Sequence, residues 1–451
     1  MNRSTFGRKS LNGQRPRVDR FIAPRDHFPG LCRRMTWAVR EKTADDVWYT
    51  KYLQQKRYAN YLDEAFGLEP MKPEPLKQDE EEAVQLWPCV PRKRSYLSSA
   101  DSILDLPTYS YAAFPELLDW SNDNILVAAL GRNYHKWSWR TQSLISQGFT
   151  EDHIHCCKFD PKGKLLILGT DYKTVEVHDN AQSKCVAKNT CRCEEGTQYQ
   201  QGHACSITAM DWSPTGNSFV IGCSHGTLSS FTRNARAISS CNANRNAILV
   251  ARVSPDARYV TAAAVNDDDV LVFTWPGLQL FSSLKSDWTI KALTWHPWRS
   301  ALLGIGAVTS SLNARVALWD APTGKVRKRT LGRNHYSLDA MLFSKRTGEL
   351  VLSLWNTDRE TSAPKTCSQL VVMSDPDTVV DQWGEGRSGL DRVRTMVFSP
   401  DGTKLATATA DEDLIIWNFL PEDKRKRKKS CKKFSAIPVY LDKATSGVSL
   451  R

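Results

Sequence analysis

The sequence predicts an all-β protein: a seven-bladed WD-repeat β-propeller with a disordered and helical N-terminal arm and a basic C-terminal tail. Three observations predict it. A hydrophobic residue followed at once by a tight turn recurs at Trp120, Phe159, Trp212, Val253, Trp295, Phe343 and Phe398, the turns being Ser121-Asn122, Asp160-Pro161, Ser213-Pro214, Ser254-Pro255, His296-Pro297, Ser344-Lys345 and Ser399-Pro400. The intervals of 39, 53, 41, 42, 48 and 55 residues match the period of four-stranded blades, with insertions. Short alternating strands such as Leu165–Leu168, Val270–Phe273, Val316–Trp319 and Leu414–Trp417 fall between the turn signals. Trp319-Asp320 supplies the Trp-Asp ending of this repeat class, Gly202-His203 its companion, and Trp417 closes the last blade. Elsewhere the copies are degenerate: His178-Asp179 replaces Trp-Asp, and Phe273 and Met373 stand near other blade ends. A propeller is a ring, so its first and last blades must touch.

Along the chain, residues 1–44 are rich in Arg, Gly and Pro without a sustained period, which predicts a disordered basic arm. Over 45–68, Trp48, Tyr52, Tyr58, Leu62 and Phe66 recur at helical spacing behind Asp45-Asp46, predicting an amphipathic helix that packs on the domain or meets a partner. Pro70, Pro73 and Pro75 with the acidic run Asp79–Glu82 mark 69–102 as a linker, and the propeller is expected over 103–420. The two long intervals imply surface insertions near 187–201 and 357–390. Residues 421–451 form a basic tail containing Lys424–Lys429, a nuclear import signal or a solvated run, and ending Leu450-Arg451.

The net charge of +12 is unevenly divided: 14 Lys/Arg oppose 5 Asp/Glu in residues 1–60, and 10 oppose 3 in 421–451, leaving residues 61–420 at −4. A nucleic-acid-binding ring would carry its positive charge on the folded body. A mildly acidic body suits basic peptides instead, with tails that dock elsewhere. No apolar run reaches the ~20 residues of a membrane span, and the basic N-terminus lacks the apolar stretch of a signal peptide. An intracellular protein keeping its 12 cysteines reduced is expected. No membrane, nucleic-acid or small-molecule partner is expected, and no cofactor.

No enzyme signature emerges: the chain has no phosphate-cradling glycine loop, no Gly-x-Ser-x-Gly elbow and no HExxH motif. Cys191-x-Cys193, with Cys185, His203 and Cys205 nearby, resembles metal ligands but matches none of the common zinc frameworks. His153-x-His155 with Cys156-Cys157 opens a blade, where structural histidines are usual. No metal site is therefore expected. In the arm, Asp19-Arg20-Phe21-Ile22-Ala23-Pro24-Arg25 sets two guanidinium groups around an apolar plug, a pattern suited to docking as an extended peptide.

Taken in order, these segments resemble the Fizzy family, the substrate-recruiting activators of the anaphase-promoting complex (cyclosome). Residues 19–25 are similar to the family's C-box, with Asp19, Arg20, Phe21, Ile22 and Arg25 matching and Ala23 in the proline position. Leu104–Pro107 and Glu116–Ser121 are similar to the family's entry into its propeller, Ile290–Trp298 to its fifth-blade signature, and Ala410-Asp411-Glu412 to its final blade. Leu450-Arg451 departs conservatively from the family's Ile-Arg tail. The degenerate repeats point to a divergent branch, such as the insect Cortex-like activators.

The resemblance implies a non-catalytic adaptor found in nucleus and cytoplasm. Asp19, Arg20, Phe21, Ile22 and Arg25, with Leu450 and Arg451, would dock helical-repeat subunits of the ligase. The propeller would bind destruction motifs on substrates such as cyclins and anaphase inhibitors. Ring closure is expected to bring Asp119 beside Glu412, the acidic pair that in the family receives the arginine of the Arg-x-x-Leu destruction box. Asn266 and Arg392 match the family's Lys-Glu-Asn site, but Asp268 stands where an asparagine is expected; it cannot donate a hydrogen bond and repels the motif's glutamate, so a weakened site is expected. Ser337 likewise stands where a glutamine often sits. The competing reading is a propeller scaffold in another assembly, for which a chromatin role would lean on Lys424–Lys429 and show steep salt dependence.

Overall fold

The computed structural model of the chain describes residues 87–97, 100–109, 114, 116–193, 205–299, 301–330, 335–357, 367–384 and 390–421. These fall within one compact unit, Gln85–Arg451. The described residues form seven four-stranded antiparallel sheets, each a blade. The first strand, Ala100–Asp105 (β1), belongs to the last blade. Blade one contains Leu118–Trp120 (β2), Ile125–Leu130 (β3), Asn133–Ser138 (β4) and Ser143–Phe149 (β5). Blade two contains Ile154–Phe159 (β6), Leu165–Thr170 (β7), Thr174–Asp179 (β8) and Lys184–Thr190 (β9). Blade three runs through Ile207–Trp212 (β10), Ser218–Cys223 (β11), Thr227–Thr232 (β12) and Ala237–Asn242 (β13). Ile248–Val253 (β14), Tyr259–Ala264 (β15), Asp269–Thr274 (β16) and Leu280–Lys285 (β17) form blade four. Thr289–Trp295 (β18), Leu302–Val308 (β19), Ala314–Asp320 (β20) and Lys325–Thr330 (β21) form blade five. Blade six has Tyr336–Phe343 (β22), Leu350–Asn356 (β23), Ser368–Asp375 (β24) and Thr378–Trp383 (β25). Val393–Phe398 (β26), Lys404–Thr409 (β27) and Asp413–Asn418 (β28) complete blade seven with β1 as its outer strand.

The seven repeated hydrophobic residues of the sequence are the last residues of the seven innermost strands, β2, β6, β10, β14, β18, β22 and β26. The turn residue after each is buried, and its N–H donates back across the hairpin: Ser121 to Ile125 O, Asp160 to Leu165 O, Ser213 to Ser218 O, Ser254 to Tyr259 O, His296 to Leu302 O, Ser344 to Glu349 O and Ser399 to Lys404 O. A backbone N–H buried at each of these corners must find an acceptor, and the repeat is the record of that need. The second strand of each blade is buried almost throughout, as in β7, whereas outer strands alternate; β13, for example, changes exposure at every residue. Neighbouring inner strands touch around the whole circle, including β2 with β26. The core therefore lies between blades, and the ring is closed.

Each blade has two ends. Turns between second and third strands, together with the connections between blades, make an upper face. Turns after the innermost strands make a lower face. The strand starts on the upper face are laced to the preceding blade, as by Ile154 N–H to Gly131 O (2.8 Å) and Ile290 N–H to Asp267 O (2.9 Å).

Two expected boundaries differ. The segment 357–390, read as an insertion, contains β24 and β25 of blade six; the unusual length of the interval hid two ordinary strands. The expected linker 69–102 also carries fold-forming residues at its C-terminal end. Trp87 is fully buried and meets Phe343 edge to face at 5.8 Å. Arg92, whose side chain is fully buried, bonds Glu349 (2.9 Å) and Asp381 (2.7 Å) and lies 4.2 Å from the Phe419 ring centre. Val90 N–H donates to Thr347 O (2.7 Å). Residues 87–97 thus form a belt along the lower face under blades five to seven. The arm (1–44), the helix (45–68) and the tail from 422 lie outside the described residues.

Candidate functional site

The seam of the ring is where residues from the two ends of the propeller meet. β1 pairs with β28 in antiparallel register, Ile103 opposite Ile415 and Asp105 opposite Asp413. Leu106 N–H extends the ladder to Glu412 O (2.7 Å), and Lys404 Nζ reaches Asp101 (2.8 Å). Arg394 of blade seven donates to Tyr109 O (3.3 Å), fixing the connection that leads towards blade one.

This arrangement gathers carboxylates at the upper end of the seam. Asp105 and Asp411 are exposed, while Glu412 and Asp413 are half-buried. Asp105 and Asp413 stand directly opposite each other at this edge. Glu412 adopts a left-handed φ of 71°, uncommon for a residue with a long side chain. Its N–H to Thr409 O (3.3 Å) and its carbonyl, bonded by Leu106, hold it there.

Asp119 does not join this edge. Its carboxylate is almost buried (6% exposed), accepts from Phe159 N–H of blade two (2.7 Å) and lies 3.7 Å from Lys158 Nζ. The physical reason is strand position. Glu412 sits in an upper turn, whereas Asp119 stands one residue from the lower end of β2 and turns toward the next blade. Closure joins the two blades without joining these two side chains. Asp105 and Asp413 are the carboxylates the seam brings beside Glu412, and the signal for them was the β1–β28 pairing.

Asp119 is part of a charge row instead. The same position in successive inner strands is Asp119, Lys158, Asp211 and Arg252, alternating in sign. Asp211 accepts from Val253 N–H (2.9 Å), repeating the Asp119 bond one blade-pair on. Arg252 pairs with Glu116. Burial alone would lower the Lys158 ammonium, but Asp119 and then Asp211 and Glu116 hold it above its usual value. Burial raises the Asp211 carboxyl in spite of Lys158 and Arg252. These groups pair with one another and tie inner strands together.

The second predicted group lies on the upper face. Asn266, exposed at φ 55°, and exposed Asp268 occupy the turn between β15 and β16. Asp267 of that turn pairs with Asn244. Burial pushes the Asp269 carboxyl up, opposed by Lys285 and reinforced by Asp268 and Asp267. Arg392, in blade seven, forms a two-pronged pair with Asp339 (2.5 and 3.0 Å) and stacks 4.0 Å from the Trp355 ring centre. Its fork is therefore already engaged. Ser337 is buried in β22. Asp19, Arg20, Phe21, Ile22, Arg25, Leu450 and Arg451 lie outside the described residues.

The cysteines also regroup. Cys191, Cys193, Cys205 and Cys223 are buried with their sulfurs within 4.8 Å of one another. Cys185 belongs to a separate group with Glu176 and His178, and His203 lies outside the described residues. Cys223, at the end of β11, was the member that linear spacing missed. His155, read as a structural histidine, bonds Asp171 (2.6 Å).

Comparison with known proteins agrees with this architecture. The WD domain, G-beta repeat family matches residues 195–231 and 386–418. "Protein cortex" of Heliconius erato is 64% identical over the full length of both chains. "Protein cortex" of Biston betularia is 53% identical over 98% of each. A chain of "Crystal Structure of Mitotic Checkpoint Complex" superposes with a TM-score of 0.58 at 20% identity, over 78% of this chain and 99% of that one, a likeness of fold.

Proposed function

The chain belongs to the cortex proteins, a branch of the Fizzy family of anaphase-promoting complex activators, and from that membership we propose that it is a substrate-recruiting activator of this ubiquitin ligase. The full-length likeness to cortex proteins supports the role, and the seam supports its chemistry. A destruction box presents an arginine and, three residues later, a leucine. A guanidinium has a forked set of donors that two carboxylates can satisfy together. The observation that carries this reading is the partly exposed acidic upper edge of the seam, with Asp105 opposite Asp413 beside Glu412.

In this reading Glu412 receives the arginine, helped by Asp105 and Asp413, while Asp119 keeps blade one in register with blade two. Asp19, Arg20, Phe21, Ile22 and Arg25 dock one helical-repeat subunit of the ligase, and Leu450-Arg451 docks another. Two linked contacts of modest strength give avidity well beyond either alone. The Lys-Glu-Asn site at Asn266, Asp268 and Arg392 is weak, because Asp268 adds negative charge and Arg392 must share its donors with Asp339. The protein acts in nucleus and cytoplasm.

Fluorescence anisotropy with a labelled Arg-x-x-Leu peptide tests the reading. Glu412→Arg is expected to reduce affinity at least ~10-fold, about 1.4 kcal/mol, with the unfolding midpoint unchanged. Equal affinity for wild type and variant would remove the site. Co-purification with ligase subunits, compared between wild type and Arg20→Ala or a chain lacking Leu450-Arg451, tests docking; undiminished recovery in the combined variant would contradict it.

A further inference from the structure

Blades two and three are joined at a point the substrate site does not use. Cys191 and Cys193 follow β9, and alternate residues of an extended strand face one way. Cys205 precedes β10 and Cys223 ends β11. The backbone laces these pieces together: Cys191 N–H donates to Lys173 O (2.7 Å), Lys173 N–H to Cys205 O (2.6 Å) and Ser224 N–H to Ser206 O (2.8 Å). All four sulfurs converge from three stretches of chain, within 4.8 Å of one another.

Buried cysteines are commonly small core residues, and the neighbouring pair Cys156 and Cys157 behaves that way. Cys156 Sγ donates to Ile207 O (3.5 Å), and neither joins the cluster. The group Glu176, His178 and Cys185 is explained by its own bonds: His178 to Glu176 and to Tyr134 (both 2.9 Å), with Lys188 on Glu176 (3.1 Å). The four-cysteine group differs from both. It gathers four buried sulfurs within 4.8 Å of one another, all of a donor type that binds Zn²⁺. The turn that follows Cys223 needs Gly226: its φ is +76°, and a Cβ there would stand 2.1 Å from Asn244 O.

We propose that Cys191, Cys193, Cys205 and Cys223 bind one Zn²⁺ as a closed, structural four-thiolate site that staples blade two to blade three. Zinc bonded at about 2.3 Å to each of four tetrahedral sulfurs spaces them by about 3.8 Å, inside the observed spread. Four Zn–S bonds form, four S–H bonds break, and the four protons leave to solvent with no change in oxidation state. No position stays open for water, so the metal has no catalytic part. The cluster stands at the two roots of the stretch 194–204, and the staple would fix those roots to the ring. The wide spacing in sequence, one, eleven and seventeen residues between successive ligands, is why it resembles no linear zinc motif.

The test uses the full chain, produced with zinc and purified under reducing conditions without chelator. Elemental analysis is expected to give about one zinc per chain for wild type and for Cys156→Ser, and under about 0.2 for Cys205→Ser and for Cys223→Ser. Should those variants fail to fold, wild type reconstituted with Co²⁺ decides the matter, since tetrahedral thiolate coordination gives intense visible bands. Folded wild type without zinc, zinc retained by both variants, a cobalt spectrum lacking those bands, or disulfides among the four cysteines by mass would each overturn the proposal.

Discussion

The belt and the seam both fasten the N-terminal side of the propeller to its last blades, and they do so in opposite ways. The belt inserts Trp87 and Arg92 into the lower face, where Arg92, Glu349 and Asp381 have no exposed side-chain surface and satisfy one another. The seam aligns β1 with β28 and leaves like charges at its upper end, partly exposed. A fully buried ion network whose members pair with one another has no exposed group left for a ligand. The acidic edge is partly exposed, and in the proposed reading it is where the substrate arginine binds. In the proposed reading, ring closure has a structural end and a binding end.

The largest expected effect breaks the belt. Arg92→Met leaves Glu349 and Asp381 facing each other without their cation, and removing one partner of a buried network costs about 3–5 kcal/mol. Denaturant unfolding of the full chain is the check; a midpoint like wild type would mean that 87–97 is a linker after all. Next, Asp105→Asn with Asp413→Asn should sharpen the contrast. The substitutions are expected to move stability by no more than a few tenths of a kcal/mol, while destruction-box affinity falls by about 1 kcal/mol or more. A variant that loses both stability and binding would show that the seam carboxylates are structural.

A third prediction concerns pH at the belt. His296 Nε2 faces Pro88 O (2.9 Å), and its Nδ1 accepts from Trp298 N–H (3.1 Å) and Arg299 N–H (3.0 Å). This pattern requires the neutral ring with its proton on Nε2. Burial, outweighing the Pro88 bond, lowers its pKa from 6.5 to about 4. A depressed histidine pKa means that the unfolded chain takes up the proton first. The contribution of His296 is therefore complete above about pH 6.5 and is lost as pH falls toward 4, by at most about 1.4 kcal/mol per pH unit. His296→Gln should be less stable at pH 7 and show a shallower decline between pH 6.5 and 4; parallel curves would refute the assignment. The smallest effect is expected at Asp268→Asn, which should strengthen binding of a Lys-Glu-Asn peptide only a few-fold, about 0.5–1 kcal/mol, because Arg392 stays paired with Asp339.

The ring was legible in the sequence because the corner after each inner strand poses the same backbone problem seven times, and Trp120 through Phe398 record the solution. The closing strand was legible only in part: the sequence boundary at 103 falls inside β1, since an outer strand with one solvated face carries a weaker pattern. The belt was not legible. Arg92 looks like any charged linker residue until the fold supplies Glu349 and Asp381 from other blades. Asp119 was misplaced for a related reason: the repeat reveals which blades meet, but the face a residue reaches depends on its position along the strand. Cys223 entered its cluster through the β10–β11 pairing, which spacing alone does not display.

The central claim, that Glu412 at the open end of the seam receives the destruction-box arginine, is tested most directly by a double-mutant cycle. Calorimetric titrations of wild type and Glu412→Gln, each with the Arg-x-x-Leu peptide and its arginine-to-alanine counterpart, isolate the pairwise term. The account predicts a coupling of about 1.5 kcal/mol or more between Glu412 and the arginine. Additive losses, with coupling within about 0.3 kcal/mol of zero, would contradict it and send the arginine to another part of the ring.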